Sequence, residues 1–481
     1  MNFITPIFFL FFLLIFSLRW AISCFPTVPI WVLRLILLSG SYFFYMSWNP
    51  KFGALLLGTT LLDFWIGRWM ESREGKTRVL LLCISLFVNL GVLAFFKYFI
   101  FLMESGNALF SAFGLNLTFP VWRIVLPVGI SFYTFQSLSY TIDVFRREIQ
   151  AEKNFWNYAL FLSFFPQLVA GPIVPAKTFL PQLRSWSNWQ ELPLKEGIVL
   201  VLIGIWKKAV LADQVSFLSD SFYLSPDSYS TAYAWAAVFA YSLQIYCDFS
   251  GYTDIALGCA LLLGFRLTEN FRMPYIASSF SDFWRRWHIS LSSWLKNYLY
   301  IPLGGNRRSE VRTYINLFVT MLLGGLWHGA SWNFVIWGGF HGIFLAVERF
   351  GARFLSVPFF KNEKIFSFGK FSYRLIVILA VILCWVFFRS PDWNTTGIVF
   401  QKLFSLSSGA DPSFSSLRNL FSTFALFFIA TWIGNKDEAS GSFRKFYENL
   451  HPVLFGIIIG IGLVFAVVLS SDSQPFIYFV F

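Results

Sequence analysis

Charge is scarce in this chain. Asp, Glu, Lys and Arg together make up 13% of its 481 residues, while 57% are hydrophobic and 21% aromatic. A domain in water needs far more polar surface than that to cover its core. The composition, with a mean hydropathy of +0.62, excludes a soluble globular protein and predicts a polytopic membrane protein. The 62 phenylalanines suit lipid-facing and tightly packed helix surfaces better than the polar–apolar alternation of a β-barrel. Helices also satisfy every backbone group within their own segment, as hydrocarbon demands.

Other absences narrow the chemistry. Five cysteines, Cys24, Cys83, Cys247, Cys259 and Cys384, are scattered without CxxC spacing. They read as buried small hydrophobes, and no metal site or disulfide frame is expected. A GxSxG elbow, P-loop, HExxH and Rossmann fingerprint are all missing, so neither a soluble-type serine hydrolase nor an ATP-driven machine is supported and no bound cofactor is expected. Acidic residues number 25 against 37 basic ones, a formal charge of +12. The basic residues sit in short loops between apolar runs, so the partner implied is anionic lipid of the cytoplasmic leaflet, with no nucleic acid.

Hydropathy and length place about twelve crossings, at 3–18, 30–48, 52–67, 78–102, 119–140, 194–212, 232–250, 313–328, 332–348, 373–388, 418–434 and 453–471. The first reads as an uncleaved helix, since no basic residue precedes its apolar core. Three more stretches are apolar but broken by Gly, Pro or charge: 156–175, 252–265 and 280–303. They are expected to be re-entrant or interfacial. The fold class expected is an all-α membrane bundle in one domain, 1–481. Alternating the crossings puts Arg19, Arg34, Arg68, Arg73, Lys76, Arg78, Arg146, Arg147 and Lys153 on one side. That side is assigned to the cytoplasm, which leaves both termini outside.

The histidines are concentrated in one stretch. Three of the four histidines, His288, His328 and His341, fall between Phe280 and Phe344. His328 lies within an apolar run, where an ionisable side chain is costly unless it lines a cavity or does chemistry. Gly324, Gly325 and Gly329 around it leave the backbone bare, so that a substrate or another helix can approach closely. Trp327 and Trp332 are candidates for the cavity wall. The plain alternative is a histidine hydrogen-bonded between helices. His288 lies in SDFWRRWHISLSSWLKNYLYIPLGG, an amphipathic run for which an interfacial helix and a chemical role are both open. His341 reads as structural, and His451, beside Pro452, has no supporting pattern.

Two further stretches carry polar groups at membrane depth. FPQLVAGPIVP (165–175) breaks a helix and exposes backbone groups that protein or a water-filled cavity must satisfy. YSLQIYCDFSGYTDIALG (241–258) holds Asp248 and Asp254. These two are candidates for a proton or cation path, or for partners of a histidine or of Arg272. Arg285, Arg286, Lys296, Arg307 and Arg308 fall on the cytoplasmic side just before the run with His328. A substrate entering from the cytoplasm would meet Arg285, Arg286, Arg307 and Arg308 first, and the alternative is that they hold lipid head groups.

The ordered blocks PVGISFYTFQSLSYTIDVFR (127–146), FFPQLVAGPI (164–173), FSGYTDIALG (249–258), NFRMPYIASSFSDFWRRWHISLSSWLKNYLYIPLGGNR (270–307) and GGLWHGASWNFVIWGGFHG (324–342) resemble the membrane-bound O-acyltransferase family, in particular its bacterial alginate-acetylating branch. WVFFRS (385–390) and the terminal PFIYFVF (475–481) are similar to that branch too, and the core of the likeness is about 125–345. The resemblance implies helices around a tunnel through which an acyl group passes from a cytoplasmic thioester, in this branch acetyl-CoA, to an exported polysaccharide. It implies that His328 is the catalytic histidine and His288 the second polar position, with an extracytoplasmic SGNH-type acetyltransferase as partner and the bacterial inner membrane as location. On that basis His328 is expected to act as general base or acyl relay and His288 to orient the thioester. Two alternatives stay open: D-alanyl transfer from a carrier protein to teichoic acid, and a proton-coupled transporter or flippase using Asp248 and Asp254.

Overall fold

A computed structural model of the chain describes residues 3–481 apart from 26, 116, 123, 170, 185–187, 355–362, 471–475 and 478–481, with backbone alone at 353–354 and 363–368. Among the described residues the regular structure is helical throughout, and one isolated bridge, Tyr229 with Ala410, is the sole extended pairing. The chain groups into two compact units, 1–198 with 256–268, and 199–255 with 269–481.

Each of the twelve stretches expected to cross contains a helix. Among the described residues five are long and apolar enough to cross a membrane: Pro6–Ser23, Gly75–Ala112, Gly369–Arg389, Phe414–Ser440 and Pro452–Leu469. The chain is an all-α integral membrane protein. Buried polar side chains tie several of the helices to one another. In the first unit the Asp63 carboxylate, on Pro50–Glu71, accepts from Ser85 Oγ at 2.6 Å and Asn89 Nδ2 at 2.7 Å, both on Gly75–Leu93. Ser137 Oγ, on Ile130–Phe145, donates to the same carboxylate at 2.5 Å and meets Tyr158 OH, on Phe155–Ser163, at 2.9 Å. One carboxylate thus ties three helices directly and a fourth through Ser137.

Two of the expected boundaries need correction. The span expected at 119–140 is helical only from Ile130. Hydropathy does not register that Pro120 and Pro127 lack an N–H, nor that Gly129 has φ +76°. A Cβ on Gly129 would sit 2.6 Å from the Leu168 carbonyl oxygen. The break expected in 252–265 is absent: Thr231–Leu262 is one continuous helix, passing through Gly251 and Gly258. Gly251 serves packing instead, since its Cβ would meet Gly204 O at 2.8 Å. The cysteines are also mixed: all five are free, but Cys24 and Cys83 are exposed.

The break expected in 156–175 is present. The helix Phe155–Ser163 ends at Phe164, whose ψ is 110°, and Phe165–Leu168 starts again with Pro166 in its first turn. The carbonyl of Phe161 accepts both Gln136 Nε2 at 2.7 Å and Gln167 Nε2 at 2.6 Å. Protein amides therefore satisfy this break.

Candidate active site

The second unit holds all three clustered histidines. His328 is the last residue of the helix Glu310–His328, which ends because Gly329 is extended. The next helix, Trp332–Phe354, folds straight back along it. The two helices touch at glycine: a Cβ on Gly325 would lie 2.2 Å from Phe334 O and 3.0 Å from Gly338 Cα. Leu295 Cδ1 lies 2.9 Å from where a Gly324 Cβ would be, and the Phe334 ring covers Gly329. Of the two uses open to these bare backbones, the close approach of other protein segments is the one observed.

This packing buries His328 to 3% exposure. Its ring is walled by Trp327 at 5.1 Å, Trp337 at 5.1 Å and Phe388 at 5.2 Å between centroids. Trp332, expected in the wall, is 58% exposed; Trp337 stands there instead. The spacing explains the switch, because the two tryptophans are five positions apart and a helix turns well past one full revolution over that span.

His288 is fully buried, with its ring centroid 6.2 Å from that of His328. It sits at the junction of two short helices, Phe280–Arg286 and Ile289–Leu295, where it caps the second with φ 44° and ψ 55°. The expected interfacial helix is therefore interrupted at His288. Phe249 at 4.9 Å, Trp327 at 5.8 Å and Phe271 at 6.2 Å pack on the ring. Its Nδ1 lies 3.1 Å from Asn270 Oδ1. Asn270 was not singled out from the sequence, since one amide in a motif gives no spacing cue.

His341 belongs to the scaffold. Its Nδ1 accepts from Trp284 Nε1–H at 3.3 Å, and its ring packs on Trp337 at 4.7 Å. Trp385, in WVFFRS, packs on Trp287 at 4.8 Å and Trp337 at 5.8 Å. Trp385 Nε1–H also donates to Tyr275 OH, which donates to Ser242 O at 2.6 Å. His451 serves locally, its Nδ1 accepting from Val453 N–H at the start of Pro452–Leu469.

The carboxylates left open by the sequence have lysine partners. Lys208 Nζ bridges Asp213 at 2.7 Å and Asp248 at 2.9 Å, all three side chains being 2–3% exposed. Lys207 Nζ lies 2.6 Å from Asp254. Both lysines belong to the π-turn Trp206–Ala212. Buried charges persist when paired in this way, and removing one partner is costly. Asp248 Oδ2 also accepts the Ile477 N–H at 2.7 Å, and the fully buried Phe476 packs on Tyr252 at 4.2 Å. The other residues of PFIYFVF, Pro475 and 478–481, lie outside the described residues.

The four candidate cations differ. Arg286 is committed: it meets Asp282 at 3.1 Å, Glu438 at 3.8 Å and the Arg272 carbonyl at 3.3 Å. Burial acts to raise the Asp282 carboxyl, but Ser278 and the Arg286 guanidinium outweigh it and hold the group below its ordinary range. Arg285 is exposed and donates to Ser281 O. Arg307 and Arg308 are exposed on a loop that Asn316 Nδ2 ties down through Gly305 O at 3.0 Å.

Comparison with known proteins identifies the family of the chain. The sequence profile of the membrane-bound O-acyltransferase family matches residues 82–388, which include every histidine of the cluster. A probable alginate O-acetylase of Pseudomonas syringae pv. tomato is 39% identical over 420 residues, covering 85% of this chain and 79% of that protein. The peptidoglycan O-acetyltransferase of Helicobacter pylori is 36% identical over 403 residues, 78% of this chain and 74% of its own. The teichoic acid D-alanyltransferase of Streptococcus thermophilus is 29% identical over 243 residues, 46% of this chain and 56% of its own.

Proposed function

Because the chain belongs to the membrane-bound O-acyltransferase family, we propose that it moves an acetyl group from a cytoplasmic thioester donor to hydroxyls of an exported cell-surface polysaccharide. It is an O-acyltransferase. The observation that carries the site assignment is the pair His288 and His328, buried with rings 6.2 Å apart inside one aromatic shell. Water is largely excluded there, and an imidazole beside a substrate hydroxyl makes it a nucleophile.

His328 acts as general base or acyl relay, and His288 orients the reacting groups beside it. Acetyl-CoA is the donor, with Arg285, Arg307 and Arg308 taking its phosphates. Arg286 is a weaker candidate because two carboxylates already neutralise it. A single membrane domain of about twelve crossings around a tunnel, in the bacterial inner membrane with both termini outside, accommodates a donor and an acceptor on opposite sides. Anionic lipid holds the basic cytoplasmic loops, and an SGNH-type acetyltransferase outside the membrane completes delivery to the polysaccharide.

Transfer of D-alanine has weaker support, because that relative matches less than half of the chain. A proton-coupled transporter loses its main feature, since Asp248 and Asp254 are each held by a lysine. Vesicles containing the purified chain test the proposal: labelled acetyl-CoA outside should be consumed with label appearing on an added polysaccharide. Turnover with a D-alanyl carrier protein, and none with acetyl-CoA, would replace acetyl transfer by the alternative.

A further inference from the structure

We infer that Asn270 is a positioning residue that fixes the His288 ring in the tautomer protonated at Nδ1, leaving Nε2 as the acceptor nitrogen presented to the reaction. The link to catalysis rests on the proposed role of His288; the tautomer itself does not.

Three groups converge on one oxygen. Asn270 Oδ1 lies 3.2 Å from Ser290 N, 2.9 Å from Ser290 Oγ and 3.1 Å from His288 Nδ1. A backbone N–H can only donate, so the amide atom facing Ser290 N is the oxygen and not the NH2 group. The same oxygen faces His288 Nδ1, which must then carry the proton. In a neutral imidazole the lone pair is left on Nε2.

The backbone holds this arrangement in register. Ile289 N–H donates to Asn270 O at 2.8 Å, Arg272 N–H to Arg286 O at 2.9 Å, and Ser292 N–H to His288 O at 2.9 Å. His288 itself occupies the left-handed region, which is strained for a side-chain-bearing residue and persists only where the surroundings over-determine it. The rings of Phe249, Phe271, Trp327 and the titratable His328 pack around it.

Asn270 is fully buried, yet its Nδ2 has no hydrogen-bond partner among the described residues. A neutral ring that accepts at Nε2 takes a hydrogen bond from a hydroxyl or from a protonated His328. It does not donate one to a thioester carbonyl. The geometry therefore assigns His288 to the acceptor hydroxyl or the proton on His328, and not to the thioester donor.

Nitrogen NMR of histidine-labelled protein in vesicles, without substrate, tests the tautomer. The His288 signals are identified as those lost in His288→Gln. Wild type should show a proton bonded to Nδ1 and a pyridine-type Nε2. Asn270→Asp supplies the same acceptor and should keep the Nδ1 proton, whereas Asn270→Leu should shift the ring towards the Nε2-protonated form. A wild-type His288 protonated at Nε2, or a tautomer unchanged in Asn270→Leu, would overturn the inference. Kinetics supply the catalytic arm: Asn270→Leu should lower kcat while leaving KM for the thioester unchanged, and Asn270→Asp should restore it. If His288→Ala still transferred acyl groups at the wild-type rate, the role of His288 would fall while the tautomer result stood.

Discussion

His288 and His328 come from different elements, one from a junction between two short helices and one from the end of a long helix, yet their rings lie 6.2 Å apart at 65°. Forty sequence positions separate them. The glycine contact that folds Trp332–Phe354 back along Glu310–His328 also brings Trp337 against His328. Packing at Gly325 therefore shapes the candidate site.

Gly325→Val should destabilise the protein strongly, because its Cβ would already lie 2.2 Å from Phe334 O. Overpacking typically costs about 1–3 kcal/mol, and contact with backbone leaves little room to relax. Thermal melting in detergent checks this against Gly456→Ala, where a Cβ meets nothing within 4 Å and little change is expected.

Lys208→Met should lower the melting temperature more than any substitution at an exposed lysine, because it strands Asp213 and Asp248 in the interior. Breaking such a buried pair costs about 3–5 kcal/mol. The triple variant Lys208→Met, Asp213→Asn, Asp248→Asn should regain much of the loss. A proton-coupled transporter would instead require Asp248 to remain ionisable.

Trp284→Phe removes the donor to His341 Nδ1 and should cost about 1 kcal/mol in stability, with kcat of the folded fraction unchanged. A large fall in kcat without a change in melting would move His341 from scaffold to chemistry.

The double variant Arg307→Gln, Arg308→Gln should raise KM for acetyl-CoA by roughly tenfold, as expected for about 1.5 kcal/mol of lost charge-assisted hydrogen bonding, with kcat nearly constant. The effect should shrink as salt rises. Arg286→Gln should act mainly on stability, through Asp282 and Glu438.

How far the sequence alone reaches follows from what each signal measures. Apolar runs locate helices, so every expected span contains one. Apolarity cannot register Pro127 or the left-handed Gly129, which delay one helix to Ile130, nor that Thr231–Leu262 runs on unbroken through Gly251 and Gly258. His328 stood out as a titratable residue in an apolar run, whereas His288, in an amphipathic run, was singled out by the family resemblance. Lys207 and Lys208 did not stand out, because the π-turn that brings them to Asp254 and Asp248 has no sequence signature. Asn270 was hidden for a similar reason: its value lies in three contacts made across a chain turn.

The most direct test of the central claim is acetyl transfer from labelled acetyl-CoA by His328→Ala beside wild type, both purified and inserted in vesicles. Loss of a general base typically costs a factor of about 10²–10⁴. The variant should melt close to wild type while its turnover falls by at least that factor. Wild-type turnover in a folded His328→Ala protein would contradict the assignment.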